Sequence, residues 1–326
     1  MGAKKSVTKR PMIVDGLVIS SWNKKVFEDM RKGGLAAANC TCSIWEDFEA
    51  TMRNMARWKQ TFVDNEDLIL QVYKAEDIRR AYKEQRVGII LGWQNSSGFG
   101  DYLPFVRLYH ELGLRVVQLT YNTANAAGSG CYESRDGGLT DYGRELIHTM
   151  NDVGILVDLS HVGGKTAKEA IDVSKRPVAY THCCPSALKK HPRNKSDDDL
   201  RYIVDRDGFV GVAGVPPFLP KGLKSTVDDY ADAVRHIANV IGEDRIGLGT
   251  DITQNQQQDF FDWIASDKGY GRQLVDLGGM PILGGFETLK DYNNIVDALR
   301  RKKFTSRQID KIVGENWLTF LEEAWV

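Results

Sequence analysis

The chain has 326 residues, 43 of them basic and 44 acidic. That length suits two ordinary domains or one large α/β barrel with a sizeable core, and the near-cancelling charge removes any global electrostatic case for nucleic acid or an anionic membrane. Five cysteines without a repeated spacing argue against a secreted disulfide framework.

The first 11 residues read as a basic tail, and no apolar stretch of signal-peptide length follows them. MGAKKS matches the minimal myristoylation pattern, which a basic tail explains without a lipid. From Met12 onward, short apolar runs alternate with longer amphipathic segments: MIVDGLVIS, LAAANCTC, LILQVY, VGIILGW, RVVQLTY, ILVDLSH, PVAYTH, GFVGVAGV and RIGLGTD. Near-continuous apolar strands are what a parallel sheet covered on both faces requires. Helices are expected between them, among others at 46–63, 75–85, 102–112, 142–153 and 227–241. In the last, Tyr230, Val234, Ile237 and Ile241 fall on one face. No linker or low-complexity stretch divides the chain. The expected architecture is therefore one (β/α)8 TIM barrel over residues 12–326, behind the tail 1–11. There is one run more than eight strands need, and LILQVY reads as an edge or connecting element. The ending FLEEAWV offers no membrane span or lipid-anchor tail, so a cytoplasmic location is expected.

In such a barrel, polar residues at the C-terminal strand ends are the candidates for a site. Asn39, Gln94, Tyr121, His161, His182 and Asp251 meet that description, and the glycine-rich segment 122–138 is expected to form a lid or one wall. His161 and His182 are separated by one βα unit, so their imidazoles can converge on one ion; otherwise each merely hydrogen-bonds a neighbour at the barrel mouth. Asp251 can hold a water, accept its proton or bind an ammonium, unless it only caps the next helix. Arg193 can clamp a carboxylate bidentately; its ordinary alternative is a surface pair with the acidic run 197–199. Cys40, Cys42, Cys131, Cys183 and Cys184 lack the paired spacing of a zinc cluster and read as small hydrophobes, with a nucleophilic cysteine near His182 as the minor option. Glu46, Glu133 and Asp136 lie in loops within reach of the mouth.

Taken together, IVDG, LGLRVVQLTYN, GLTDYGRELIHTMNDVGILVDLSH, KRPVAYTHC, HPRNKSDDDL, IGLGTD and GENWL resemble the membrane (renal) dipeptidases, the M19 metallopeptidases of the amidohydrolase superfamily. The resemblance runs from about Met12 to Trp325. It implies a barrel hydrolase that binds two zinc ions and cleaves dipeptides, some with a D-residue at the C-terminal position. It also implies that His161 and His182 hold one zinc, that Arg193 binds the substrate carboxylate, and that Asp251 stands near the substrate amine and the nucleophilic water. The pattern breaks in the other half of the site. The family's HxD is Leu17-Val18-Ile19 here, its bridging glutamate is Gln94, and a further histidine is Tyr121. A neutral amide cannot bridge two cations as a carboxylate does.

The expectation is thus a dipeptidase-like hydrolase acting on a small amide or amino-acid-like substrate, with one zinc or other divalent metal at most and no binuclear centre. His161 and His182 are the metal ligands, Asp251 and Tyr121 the catalytic groups, and Arg193 and Gln94 the substrate-binding residues. A third metal ligand would come from Asp251, Glu133 or a cysteine. Two rivals stand beside it: a metal-independent lyase or isomerase on the same pocket, and a non-catalytic small-molecule binder. The expected partner is a small molecule, with neither nucleic acid nor membrane, and self-association stays open.

Overall fold

A computed structural model describes residues 11–325, so the basic tail and its myristoylation pattern lie, but for one residue, outside the described residues. Nine parallel strands follow in chain order: β1 (Ile13–Val18), β2 (Leu35–Ser43), β3 (Ile69–Gln71), β4 (Val87–Trp93), β5 (Leu114–Gln118), β6 (Leu156–Asp158), β7 (Ala179–Cys183), β8 (Phe209–Val212) and β9 (Ile246–Leu248). Each matches one of the nine apolar runs, with β2, β5 and β7 reaching one residue beyond theirs at Ser43, Leu114 and Cys183, and all but β3 are buried along their whole length. β9 pairs with β1 through Leu248 and Asp15, and β2 pairs with β4 from Ala37 opposite Gly88 to Ser43 opposite Trp93. These two pairings close an eight-stranded barrel. β3, from the LILQVY run, pairs only with β4, where Ile69 meets Val87, and stays outside the ring as an edge strand.

The helices between the strands start and stop where side-chain chemistry dictates. α1 (Lys24–Gly33), α2 (Phe48–Asp64), α3 (Ala75–Glu84), α4 (Pro104–Glu111) and α5 (Asp141–Val153) cover the first half; α6 (Gly164–Val173), α7 (Asp197–Val204) and α8 (Val227–Ile241) cover the second. α5 is opened by Thr140, whose Oγ1 accepts from Gly143 N, and closed by Gly154 at φ 82°. The acidic run 197–199 opens α7: Ser196 and Asp199 form a reciprocal capping box there. α8 buries Tyr230, Val234 and Ile237 against the barrel, while Ile241 at its last turn is only partly covered.

Beyond β9 come α9 (Gln258–Ala265), α10 (Tyr292–Arg301), α11 (Ser306–Asp310), a π-helical turn (Lys311–Glu315) and α12 (Asn316–Ala324). The last two close the end of the barrel at which the strands begin. Trp317 packs on Phe209 with centroids 4.2 Å apart and donates from Nε1 to Leu248 O at 2.6 Å. Gly314 presses so close to β1 that a Cβ there would lie 1.7 Å from Met12 O. With that end filled, access is left to the C-terminal strand ends, where barrel sites form.

Candidate active site

A pocket with about 570 Å³ of empty space, part of it open to solvent, lies over the C-terminal strand ends. Gln94, Tyr121, His161, Arg193 and Asp251 all line it. His182, fully buried, sits behind His161, and the rings are held with Nε2 atoms 3.0 Å apart. These sequence candidates therefore converge on one place, drawn from the ends of β4, β5, β6, β7 and β9 and from the segment before α7. Asn39 does not join them: it lies mid-strand in β2, donates to Gly16 O at 2.9 Å and lines a separate cavity beside Trp317.

The histidine pair is fixed from behind. With Asn122 turned so that its Oδ1 faces the ring at 2.7 Å, His161 Nδ1 must carry the proton. The Thr181 hydroxyl donates to Asp158 Oδ2 at 2.7 Å and so is left to accept from His182 Nδ1 at 2.8 Å. Asp158 also receives Ser160 N, Ser160 Oγ and Thr181 N, and these contacts anchor it at the end of β6. Both imidazoles thus present an Nε2 lone pair to the other. Burial, aided by the Arg193 charge, holds both rings well below the usual histidine range and therefore neutral.

Arg193 is only 1% exposed, which overturns the surface-pair alternative. Its Nη1 donates to Ser160 O and its Nη2 to His182 O at 3.0 Å, while Nε is a buried donor with no partner. The acidic residues it was set against have other partners: Asp197 meets His236 at 2.8 Å and Asp199 caps its own helix. Asp251 sits at φ 57° with its N–H on Leu17 O, seven residues before α9 begins, so it is no helix cap. Burial pushes its carboxyl up to about 7, with Arg193 pulling the other way. Gln94 donates from its amide to Thr41 Oγ1 at 3.0 Å.

The half of the site that lacks ligands is filled by hydrocarbon. Leu17 is buried, and Ile19, Ile44 and Tyr121 form a cluster on which Trp45, Phe260, Trp263 and Ile264 pack. Beneath it Asp15 is tied up structurally, receiving Leu17 N, Thr250 N, Thr250 Oγ1 and the Tyr292 hydroxyl. The other acidic candidates are also engaged locally: Glu46 accepts from Ile44 N, Glu133 from Ala124 N, and Asp136 from the start of α6. Among the described residues no group of three His, Cys, Asp or Glu comes together to hold a metal. All five cysteines are free thiols; burial holds Cys183 up at about 12 and pushes the others above the usual thiol range. A nucleophilic cysteine beside His182 does not fit that setting.

Three parts of the site had no residue-level signal in the sequence. Asn122 and the Asp158–Thr181 pair orient the histidines, Tyr132 joins the pocket from the loop singled out as a lid or one wall, and an apolar side comes from α9 and residues 275–281. A polar residue directly following a site residue, as Asn122 follows Tyr121, is the one hint available.

The membrane dipeptidase model (Peptidase family M19) matches residues 22–262. Dipeptidase tcpJ of Claviceps purpurea is 30% identical over 262 residues, 79% of this chain and 56% of its own length. Uncharacterized dipeptidase C965.12 of Schizosaccharomyces pombe is 33% identical over 251 residues, 75% of this chain and 55% of its own. The chain thus spans about half the length of these curated relatives. Among solved structures, an amidohydrolase from Pseudomonas aeruginosa superposes with a TM-score of 0.95 at 48% identity, covering 97% of both chains. A metallopeptidase from Rhodobacter sphaeroides, solved with a phosphinate mimic of L-Ala-D-Ala, reaches a TM-score of 0.82 at 18% identity over 97% of this chain and 99% of its own, a likeness of fold alone. Among the described residues no helix is long and apolar enough to cross a membrane. On the extent of the family match and the relatives' identity, this chain belongs to the membrane dipeptidase family, peptidase family M19.

Proposed function

We propose that this chain is a hydrolase of a small carboxylate-bearing amide, working with at most one divalent metal, zinc or a similar ion, held by His161 and His182. The observation that carries this reading is the pair of Nε2 atoms 3.0 Å apart with both Nδ1 atoms engaged elsewhere. Two lone pairs at that distance repel unless a cation lies between them, and metal ligation needs the neutral imidazoles that burial favours. The donor set suits one loosely held ion, short of the three protein ligands of an ordinary catalytic zinc. It does not suit two, because Leu17, Ile19 and Gln94 carry no charge to offer. A bound ion would supply water activated at neutral pH.

The protein's own groups do the rest. Arg193 receives the substrate carboxylate through its free Nε–H. The Gln94 amide, donating to Thr41, leaves its Oε1 as acceptor for a substrate N–H. Asp251 takes the proton of the attacking water. Tyr121, whose buried hydroxyl stays protonated, polarises the scissile carbonyl or protonates the leaving nitrogen. The free thiols fit a reducing compartment, the cytoplasm.

The test is elemental analysis of protein purified without chelator, together with a turnover screen of carboxylate-bearing amides. One divalent ion per chain or fewer, with turnover, supports the reading; two retained ions overturn it. The lack of a third gathered ligand favours one other reading, in which Tyr121, His161, His182 and Asp251 run acid–base chemistry as a lyase or isomerase. Turnover undiminished by chelation selects that alternative.

A further inference from the structure

Tyr132 belongs to no part of the scheme above, yet it lines the same pocket, and its hydroxyl is buried without a hydrogen-bond partner. Its place is fixed by the backbone. Cys131 N donates to His161 O at 2.8 Å and Tyr132 N to Asn122 O at 2.8 Å, so the loop is pinned to the ends of β5 and β6. The ring stands edge-on to His191 with centroids 6.0 Å apart. His191 in turn packs on Phe218 at 4.6 Å and accepts Arg193 N at Nδ1, and the Arg193 guanidinium lies 5.6 Å from the centre of the Phe218 ring. Tyr132, His191, Phe218 and Arg193 therefore form one corner. In that corner sit two buried donors, Tyr132 Oη–H and Arg193 Nε–H, neither with a partner. A buried donor without an acceptor is costly, so two of them in one pocket call for an anion that accepts from both.

The rest of the lining has another character. Val215 from the turn after β8, Phe261 and Ile264 from α9, and Val275 and Leu277 beyond it line the pocket with hydrocarbon. We propose that Tyr132 is a substrate-binding residue, which with Arg193 clamps a carboxylate, and that the apolar side selects substrates bearing a group of leucine to phenylalanine size. The preferred substrate is then an N-acyl amino acid or related amide with a free carboxylate and an apolar body. This rests on the hydrolase reading for the word substrate, but the clamp itself is a matter of binding.

Calorimetric titration with inert probes tests it: acetate, 4-methylpentanoate, 3-phenylpropanoate, and 3-phenylpropanol as the uncharged match. Wild-type protein is expected to bind the two larger carboxylates at least about 10-fold more tightly than acetate or the alcohol, since burying a few methylenes and pairing a charge each contribute that much. Tyr132→Phe keeps the ring on His191 and is expected to weaken both larger carboxylates about 5–10-fold while leaving the alcohol unchanged. Leu277→Ser, at a partly exposed position, is expected to lower affinity for 3-phenylpropanoate and spare acetate. Equal carboxylate binding by wild type and Tyr132→Phe overturns the clamp. Acetate bound as tightly as 3-phenylpropanoate overturns the apolar selection, and no saturable binding of any probe overturns both. Because the probes are not hydrolysed, tight binding without turnover of any amide would sink the hydrolase reading and leave the clamp standing; turnover of amides that lack a carboxylate, with no probe bound, would do the reverse.

Discussion

Tyr121 lies face to face with His161, their ring centroids 4.2 Å apart and their planes 25° from parallel. Trp45 meets the other partner of that stack edge-on, 5.0 Å from Tyr121. The stack fixes where the phenol points, and burial pushes its pKa well above the usual phenol value, so the hydroxyl is a permanent donor at neutral pH. Tyr121→Phe keeps the stack and removes the donor. Its kcat on an authentic substrate is expected to fall about 100-fold with little change in KM. An unchanged kcat would reduce Tyr121 to a packing residue.

If His161 and His182 hold an ion as proposed, the hydrogen bonds behind them set its affinity. Thr181→Val removes the acceptor of His182 Nδ1–H, and Asn122→Ala removes that of His161. Each is expected to weaken binding of zinc or cobalt about 10–100-fold, measured by direct titration of the folded protein. Affinity that stays constant in both variants would show that the ion binds elsewhere.

Asp251 makes stability depend on pH. Its carboxyl rises from 3.8 to about 7 on folding, so between those values the folded chain keeps a proton that the unfolded chain releases. Stability therefore falls as pH rises through that window and levels off above about 7. Asp251→Asn abolishes the effect and is expected to raise stability at pH 8 by on the order of 2 kcal/mol, seen as a higher denaturation midpoint. The same variant is expected to lose turnover, whereas the wild-type rate climbs with pH towards a plateau above the Asp251 value.

Arg193 has its two Nη atoms on backbone oxygens, so its orientation is set before any ligand arrives. Arg193→Lys loses both that orientation and the planar fork. Binding of a carboxylate substrate is expected to weaken by about 1–3 kcal/mol. Wild-type affinity in this variant would assign the carboxylate to another group.

Ordinary dipeptides are expected to be poor substrates, turned over at less than ~1 per second even with added zinc, manganese or cobalt. The reason is the missing bridge: a hydroxide shared by two cations needs a carboxylate where Gln94 stands. Leu17→His, Ile19→Asp and Gln94→Glu together are expected to bring a second metal and a gain in dipeptide cleavage. A folded triple variant that binds two metals without that gain would show that the pocket walls have diverged as well.

The strand runs were legible because burial on both faces leaves little choice of residue, and the surplus run, readable only as an edge or a connecting element, is an edge strand. Strand ends then put His161, His182 and Asp251 at one mouth. Arg193 was ambiguous, since a short HPRN segment does not reveal whether its arginine points inward. Asn122 and Thr181 were hidden for a different reason: their roles depend on which atoms a neighbouring side chain leaves free. Tyr132 lay inside a loop recognised only as a lid or one wall, because loop conformation has no periodicity to read. The apolar side of the pocket follows the last strand, where no barrel rule constrains the chain.

The hydrocarbon cluster around Ile19 also bears on how such a site could change again. In a pocket packed with Ile44, Tyr121 and Trp45, a lone Ile19→Asp would bury a charge with nothing opposite it, and a lone Gln94→Glu would do the same beside Thr41. Each first step back towards two metals thus lowers stability before any ion can repay it. The present pocket is a valley that single substitutions leave only uphill, so descendants of this chain are channelled into refining the chemistry they have.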